Sequence, residues 1–404
     1  MSEPESNRAR EWNLGYVSLI SLVAAFGGFL FGYDTAVVSG AIGFLSRHFE
    51  LSSGMTGWAA SSLLVGCMAG AMLGGPVGDR WGRKPSLIAC ATLFALSSVA
   101  SALPESLGAF AWARFAGGIA IGAASMLSPL YIAEIAPEKI RGTLVALYQL
   151  AIVVGILAVF FVNLQIQRLG NEDWNVTTGW RWMFASLVLP SVLFGGFMAL
   201  VPESPRWLLR MGRRHEAESI LRRIGGPDTA RREMESIDAA LRQEEGRWSE
   251  LFTTGYRRAL VIGVMLAVFG QFSGINAVMY YAPEIFKSAG AGTDSAFAQT
   301  VIVGVVNLAF TFVAIGLVDK AGRRPLLVVG TAVQVASLLW VGWMLASGRG
   351  GWGLLAGVLS FVAAFAVAMG PIPWIVNSEI FPTKLRGRAM SMAIFCLWFA
   401  DWVV

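Results

Sequence analysis

The sequence predicts an all-α integral membrane protein built from two repeated halves. Three observations carry that reading. The 404 residues are 55% hydrophobic and only 14% charged, where a soluble domain carries about 25% charged residues. The apolar residues gather into ten charge-free runs. Short motifs near the ends of those runs recur at a nearly constant spacing.

The runs are 12–33, 51–78, 85–104, 115–133, 142–167, 182–202, 259–283, 295–318, 325–348 and 350–378. A membrane helix needs roughly 20 apolar residues. Ten spans fit once Asp34 joins the first and Arg114 the fourth. An eleventh run opens at Ala389, meets Asp401 and stops at Val404, so an incomplete eleventh helix is expected. Lys and Arg set the orientation. With the N-terminus cytoplasmic, only Arg47, Arg168, Arg181, Lys287 and Arg349 fall on outer segments, and Arg114 falls inside a span. The rest of the 31 basic residues lie on inner segments, as the positive-inside rule requires. The net charge of +5 therefore reflects topology, and nucleic acid is not an expected partner. Cys67, Cys90 and Cys396 all sit in apolar runs and read as core residues, not as disulfides or metal ligands.

Residues 202–258 form the one long polar insertion, with apolar residues at helical spacing among mixed charges. The expected organisation is a cytoplasmic N-terminus (1–13), a first six-helix bundle (14–201), a cytoplasmic helical linker (202–258) and an incomplete second bundle (259–404). The halves repeat. GDRWGRKPSL (78–87) matches VDKAGRRPLL (318–327), and AEIAPEKIRG (133–142) matches SEIFPTKLRG (378–387), at offsets of 240 and 245. GYDTAVVSGAIGF (32–44) aligns with GINAVMYYAPEIF (274–286) at 242. Duplicated halves in parallel orientation with a site between them at mid-membrane are one architecture of secondary transporters.

The repeated loops carry charges at matching places: Asp79, Arg83, Glu134 and Arg141 in one half, Asp319, Arg323, Glu379 and Arg386 in the other. The glycine in each permits a tight turn. The acids are expected to pair with Arg83, Arg323 or their neighbours, as a latch that holds the halves together on the inner side.

GDRWGRKP, PESPRWLL, AEIAPEKIRG/SEIFPTKLRG, GQFSGINAVMYYAPEIF and GPIPWIVNSEIFP together resemble the sugar porter family of the major facilitator superfamily, from about residue 18 to the end. The resemblance implies the major facilitator fold, two pseudo-symmetric six-helix bundles, here truncated within the eleventh transmembrane helix. It also implies a proton-coupled monosaccharide symporter of the bacterial inner membrane. Such a protein takes a hexose or pentose, protons as coupling ion and no other cofactor, and is expected to be monomeric. A facilitative uniporter and a non-transporting sugar sensor remain alternatives. An enzyme is not expected, since no nucleophile–base or metal-ligand cluster is present.

Asp34 is the informative charge. It lies roughly 30 Å along the first span from Leu14, and Arg114 lies roughly 10 Å inward from the outer end of the fourth. The two fall at similar depth. Intramembrane charges usually pair inside the bundle, and Arg114 is placed to tune when Asp34 takes a proton. The resemblance implies proton coupling for an aspartate in FGYD. A sugar needs side chains that both donate and accept, with an aromatic plate. Gln149, Gln271, Asn276 and Asn307 are uncharged amides in apolar spans, and Trp374 follows a Gly-Pro-Ile-Pro break. The resemblance implies sugar contacts for these five, and cavity-lining positions for Phe31, Tyr280 and Trp398. Gly270 and Leu397 depart from the family pattern, where amides are usual, so the sugar of relatives does not transfer directly.

Overall fold

The computed structural model describes residues 12–137, 140–242, 248–253, 255–381 and 383–404. Among them, ten helices are long and apolar enough to cross a membrane. The first half holds α1 (Leu14–His48), α2 (Ser53–Trp81), α3 (Arg83–Ala102), α4 (Leu107–Ile135), α5 (Arg141–Arg168) and α6 (Glu172–Leu200). The linker contributes α7 (Pro205–Arg210) and α8 (Arg214–Arg242), then a 3-10 turn at Trp248–Phe252. The second half holds α9 (Arg257–Phe272), α10 (Ile275–Tyr280), α11 (Ala282–Ser288), α12 (Thr293–Ala321), α13 (Arg323–Ala346), α14 (Trp352–Val367), α15 (Ile372–Glu379) and α16 (Thr383–Val403).

Helix ends follow from local chemistry. The side chains of Asn13, Ser52 and Ser106 accept the backbone N–H of Tyr16, Met55 and Ala109, and so cap α1, α2 and α4. Gly82 and Gly322 turn the chain between α2 and α3 and between α12 and α13, at φ of +103° and +83°, the left-handed region that glycine tolerates. The repeated loop motif thus makes the same turn twice. The break after α14 sits at residues 368–371, where Pro371 and Pro373 lack the N–H a continuing helix would use. A second break interrupts the seventh span, which the charge-free run presents as continuous: Gly274, at φ +81°, separates α9 from α10. Charge-free runs also understate helix length. The first helix continues to His48, so Asp34 lies well inside it instead of near its end, and the sixth begins at Glu172, with a π turn at Asn175–Gly179.

The helices of the first half pack backbone against backbone. A Cβ on Gly66 or Gly118 would overlap the carbonyl oxygens of Phe115 and Leu63 on the facing helix. Small residues allow such approach where lipid offers no hydrophobic drive to associate. The halves meet along three seams: α1 against α10 and α11, α2 against α16, and α5 against α12.

Gly118→Val is therefore expected to disrupt the α2–α4 contact, an overpacking cost on the order of 1–3 kcal/mol or more. Gly108→Val, with open space beside it, is expected to be nearly neutral. Thermal unfolding and monodisperse yield in detergent distinguish them; equal behaviour would contradict this packing.

Candidate functional site

Asp34 and Arg114 form a buried ion pair, with side-chain exposures of 1% and 2%. Arg114 Nη1 donates to Asp34 Oδ1, and Nη2 donates to the Asp34 backbone carbonyl at 2.9 Å. The guanidinium also stands over the Phe184 ring, 5.1 Å from its centroid, a contact that favours the cation. Asp34 Oδ2 has no hydrogen-bond partner among the described residues. Gly117 leaves room beside it, since a Cβ there would lie 3.3 Å from Oδ2.

A polar cluster lies across the seam in the second half. The Gly274 turn folds α10 back toward the end of α9, so Asn276 Nδ2 donates to Gln271 Oε1 at 2.9 Å. The same amide donates to Asp401 Oδ2 at 2.8 Å, and the Tyr280 hydroxyl reaches that oxygen at 3.5 Å. Phe31 of α1 and Trp398 of α16 meet with ring centroids 5.3 Å apart. The Trp398 Nε1 donor is buried without a partner among the described residues.

The predicted residues divide. Gln271, Asn276 and Tyr280 come together, and Phe31 joins Trp398. Trp374 lies in a neighbouring small cavity with Leu397, Pro373 and Ile394. Gln149 is half-buried on α5 and Asn307 is buried on α12. Among the described residues neither side chain hydrogen-bonds to the cluster, although their helices pack together. Asp401 joins the site without having been singled out by the sequence pattern, where it merely ends an apolar run. The signal that marks Asp34, a lone acid among apolar residues, applies to it equally.

The inner charges form a network, but within one half. Arg83 donates to Glu134 from both Nε and Nη2, at 3.0 and 2.9 Å, and to Asp79 from Nη1 at 2.9 Å. The linker completes it. The Ser204 hydroxyl donates to Glu134 at 2.5 Å, Trp207 Nε1 donates to the Asp79 carbonyl at 2.9 Å, and Arg210 reaches the Asp79 carboxylate at 3.1 Å. Glu203 accepts the backbone N–H groups of Arg83, Lys84 and Ser204 at the start of α3. Burial pushes its carboxyl above the usual range, and those N–H groups pull against the shift. The expected half-to-half latch is thus not what these pairs make: they fasten α2, α3 and α4 to the linker. Arg141 Nη2 donates to the Ala136 carbonyl at 3.4 Å. The side chains of Asp319, Glu379 and Arg386 lie outside the described residues, and Arg323 starts α13 beyond the Gly322 turn.

Contacts between the halves lie at the opposite end of the helices. Arg168 of α5 meets Asp294 of α12 through two bonds of 2.5 and 3.0 Å. Phe44 stacks on Phe297 at 6.0 Å, and the Lys287 ammonium caps both rings. Beside these contacts is a cavity of about 410 Å³ lined by Arg47, Glu172, Glu284 and Lys287 among others.

Two helical halves that meet around a buried ion pair and a hydrogen-bonding cluster define a secondary transporter of the major facilitator architecture. The chain belongs to the sugar transporter family: the profile described as "Sugar (and other) transporter" matches residues 20–404. It is 46% identical to the arabinose-proton symporter of Bacillus subtilis (strain 168), over 100% of this chain and 87% of that one. It is 43% identical to the D-xylose-proton symporter of Escherichia coli (strain K12), over 98% and 85%. Among solved structures, it superposes with a TM-score of 0.87 on the E. coli xylose transporter XylE in a partially occluded inward-open conformation, at 41% identity over 96% of this chain and 90% of that one. The XylE complex with 6-bromo-6-deoxy-D-glucose gives 0.82 at 43% identity over 97% and 88%.

Arg83→Ala is expected to strand Glu134, whose side chain is only 3% exposed, at a cost of about 3–5 kcal/mol. Asp79→Asn, at a carboxylate 42% exposed, is expected to cost about 1 kcal/mol or less. Thermal unfolding of the two variants checks this, and comparable losses would contradict it.

Proposed function

We propose that this chain is a proton-coupled monosaccharide symporter that works by alternating access, with its N-terminus cytoplasmic. The observation that carries this is the buried Asp34–Arg114 pair together with a hydrogen-bonding cluster of Gln271, Asn276 and Tyr280 near the seam between the halves. Relatives that cover nearly the whole chain are named arabinose-, xylose- and galactose-proton symporters. The sugar sits between the halves, held by Gln271, Asn276, Tyr280 and Asn307 of the second half with Gln149 of the first. Phe31, Trp374 and Trp398 supply the apolar faces that a sugar ring stacks on.

The coupling follows from charge. With Asp34 ionised, Arg114 is held by both its side chain and its backbone carbonyl. Protonation of Asp34 removes the charge that Arg114 neutralises, and the two helices lose the attraction between them. A proton that binds one conformation better shifts the population toward it. Entry of proton and sugar from the outer side favours closure there; opening on the inner side lets both leave. The Arg83 network keeps the first half and linker one body through the cycle, while Arg168–Asp294 and Phe44–Phe297 form and break. Arg141, Arg323, Asp319, Glu379 and Arg386 complete the inner charge set. The sugar is not chemically altered, no metal or nucleotide takes part, and the unit of function is the monomer in its lipid bilayer.

In cells lacking their own sugar importers, xylose, arabinose, glucose and galactose are added in turn to a lightly buffered suspension. One or more is expected to make the external pH rise. Asp34→Asn is expected to abolish that rise and reduce accumulation to equilibration, with sugar exchange across the membrane retained. Labelled-sugar entry with no pH change in the unmodified protein would make this a uniporter; binding without entry would make it a sensor.

A further inference from the structure

The Asp34–Arg114 pair leaves one other intramembrane acid to be accounted for. Asp401 on α16 is 5% exposed. Its hydrogen bonds come from the neutral groups Asn276 and Tyr280, and both fall on Oδ2. Among the described residues no Lys or Arg forms an ion pair with it, in contrast to Asp34.

The two acids lie at similar distances along their helices. Asp401 lies roughly 27 Å along α16 from Thr383, and Asp34 roughly 30 Å along α1 from Leu14. Each follows by three residues one ring of the Phe31–Trp398 contact, so each shares a helix face with its ring. The groups that hydrogen-bond Asp401 both come from α10, Asn276 and Tyr280. Ionised, Asp401 would carry a negative charge with no cation paired to it among the described residues, in a place where an uncompensated charge costs several kcal/mol. One proton neutralises it. Arg114 is already engaged by Asp34, so the proton belongs on the acid that has no cation.

We propose that Asp401 is a second proton-binding group of the transport cavity, protonated while the outer side is closed and the Asp34–Arg114 pair is made. A protonated carboxyl donates as well as accepts, which suits a sugar hydroxyl better than an anion that accepts only. Its part in transport rests on the symport reading above; its protonation does not. Infrared difference spectroscopy of the purified transporter, titrated with pH, reads a carboxylic-acid carbonyl stretch directly. The band is expected in the unmodified protein, lost in Asp401→Asn and moved in frequency in Asp401→Glu. Should Asp401→Asn not fold, the movement in Asp401→Glu decides alone. Absence of the band, or a band that neither variant alters, would overturn the proposal. A protein that shows an Asp401-dependent band but no sugar-driven alkalinisation would lose the symport reading and keep this one.

Discussion

An ion pair with almost no exposure, set inside an apolar bundle, constrains everything near it. Asp34 and Arg114 each need the other, because neither has water to turn to. Their helices must stay close enough for the fork to reach both a carboxylate oxygen and a backbone carbonyl. A Cβ on Gly117 would run into the Ser97 hydroxyl and crowd the Asp34 carboxylate. Phe184 is placed where its ring face meets the guanidinium. Loss of the anion by protonation would leave the same surroundings with a cation they no longer balance. One small ion can in this way change the preferred packing of two long helices.

The polar cluster in the second half obeys the same constraint by other means. Gln271, Asn276, Tyr280 and Asp401 satisfy one another in a chain of hydrogen bonds. The chain exists because Gly274 breaks the seventh span and lets two consecutive helical pieces face each other. Gly270 has open space beside it. Leu397 lines a small cavity one helical turn before Asp401.

Much of this architecture is legible in the order of the amino acids alone. Ten spans follow from charge-free runs, because an unpaired charge is what a bilayer excludes. The glycines of GDRWGRKP and VDKAGRRP read as turns, and both take positive φ. The depths of Asp34 and Arg114 are enough to pair them, since two charges at one level in a bundle have few other choices. Partners drawn from neutral residues are not legible. Nothing in the run around Asp401 says that an amide and a phenol from another helix satisfy it. The Gly274 break is hidden because a single glycine in an apolar run is common. The inner network joins a different pair of bodies from the pair its sequence suggests. Matching motifs in two halves suggest that the halves touch, whereas the motif of the first half closes on its own helices. The role of PESPRWLL shows only in space, where Ser204, Trp207 and Glu203 grip α2, α3 and α4.

That grip has a mechanical meaning. The Asn13 N–H bonds the Ile224 carbonyl at 2.7 Å, and Met234, Ile237 and Leu241 pack on Trp207, Leu208 and Leu209. The first half therefore carries α7 and α8 as a rigid strap. Leu251 of the 3-10 turn is buried instead with Leu260, Phe381 and Leu385 of the second half. The polar insertion at 202–258 is thus divided in its packing, α7 and α8 belonging with the first half and the 3-10 turn with the second.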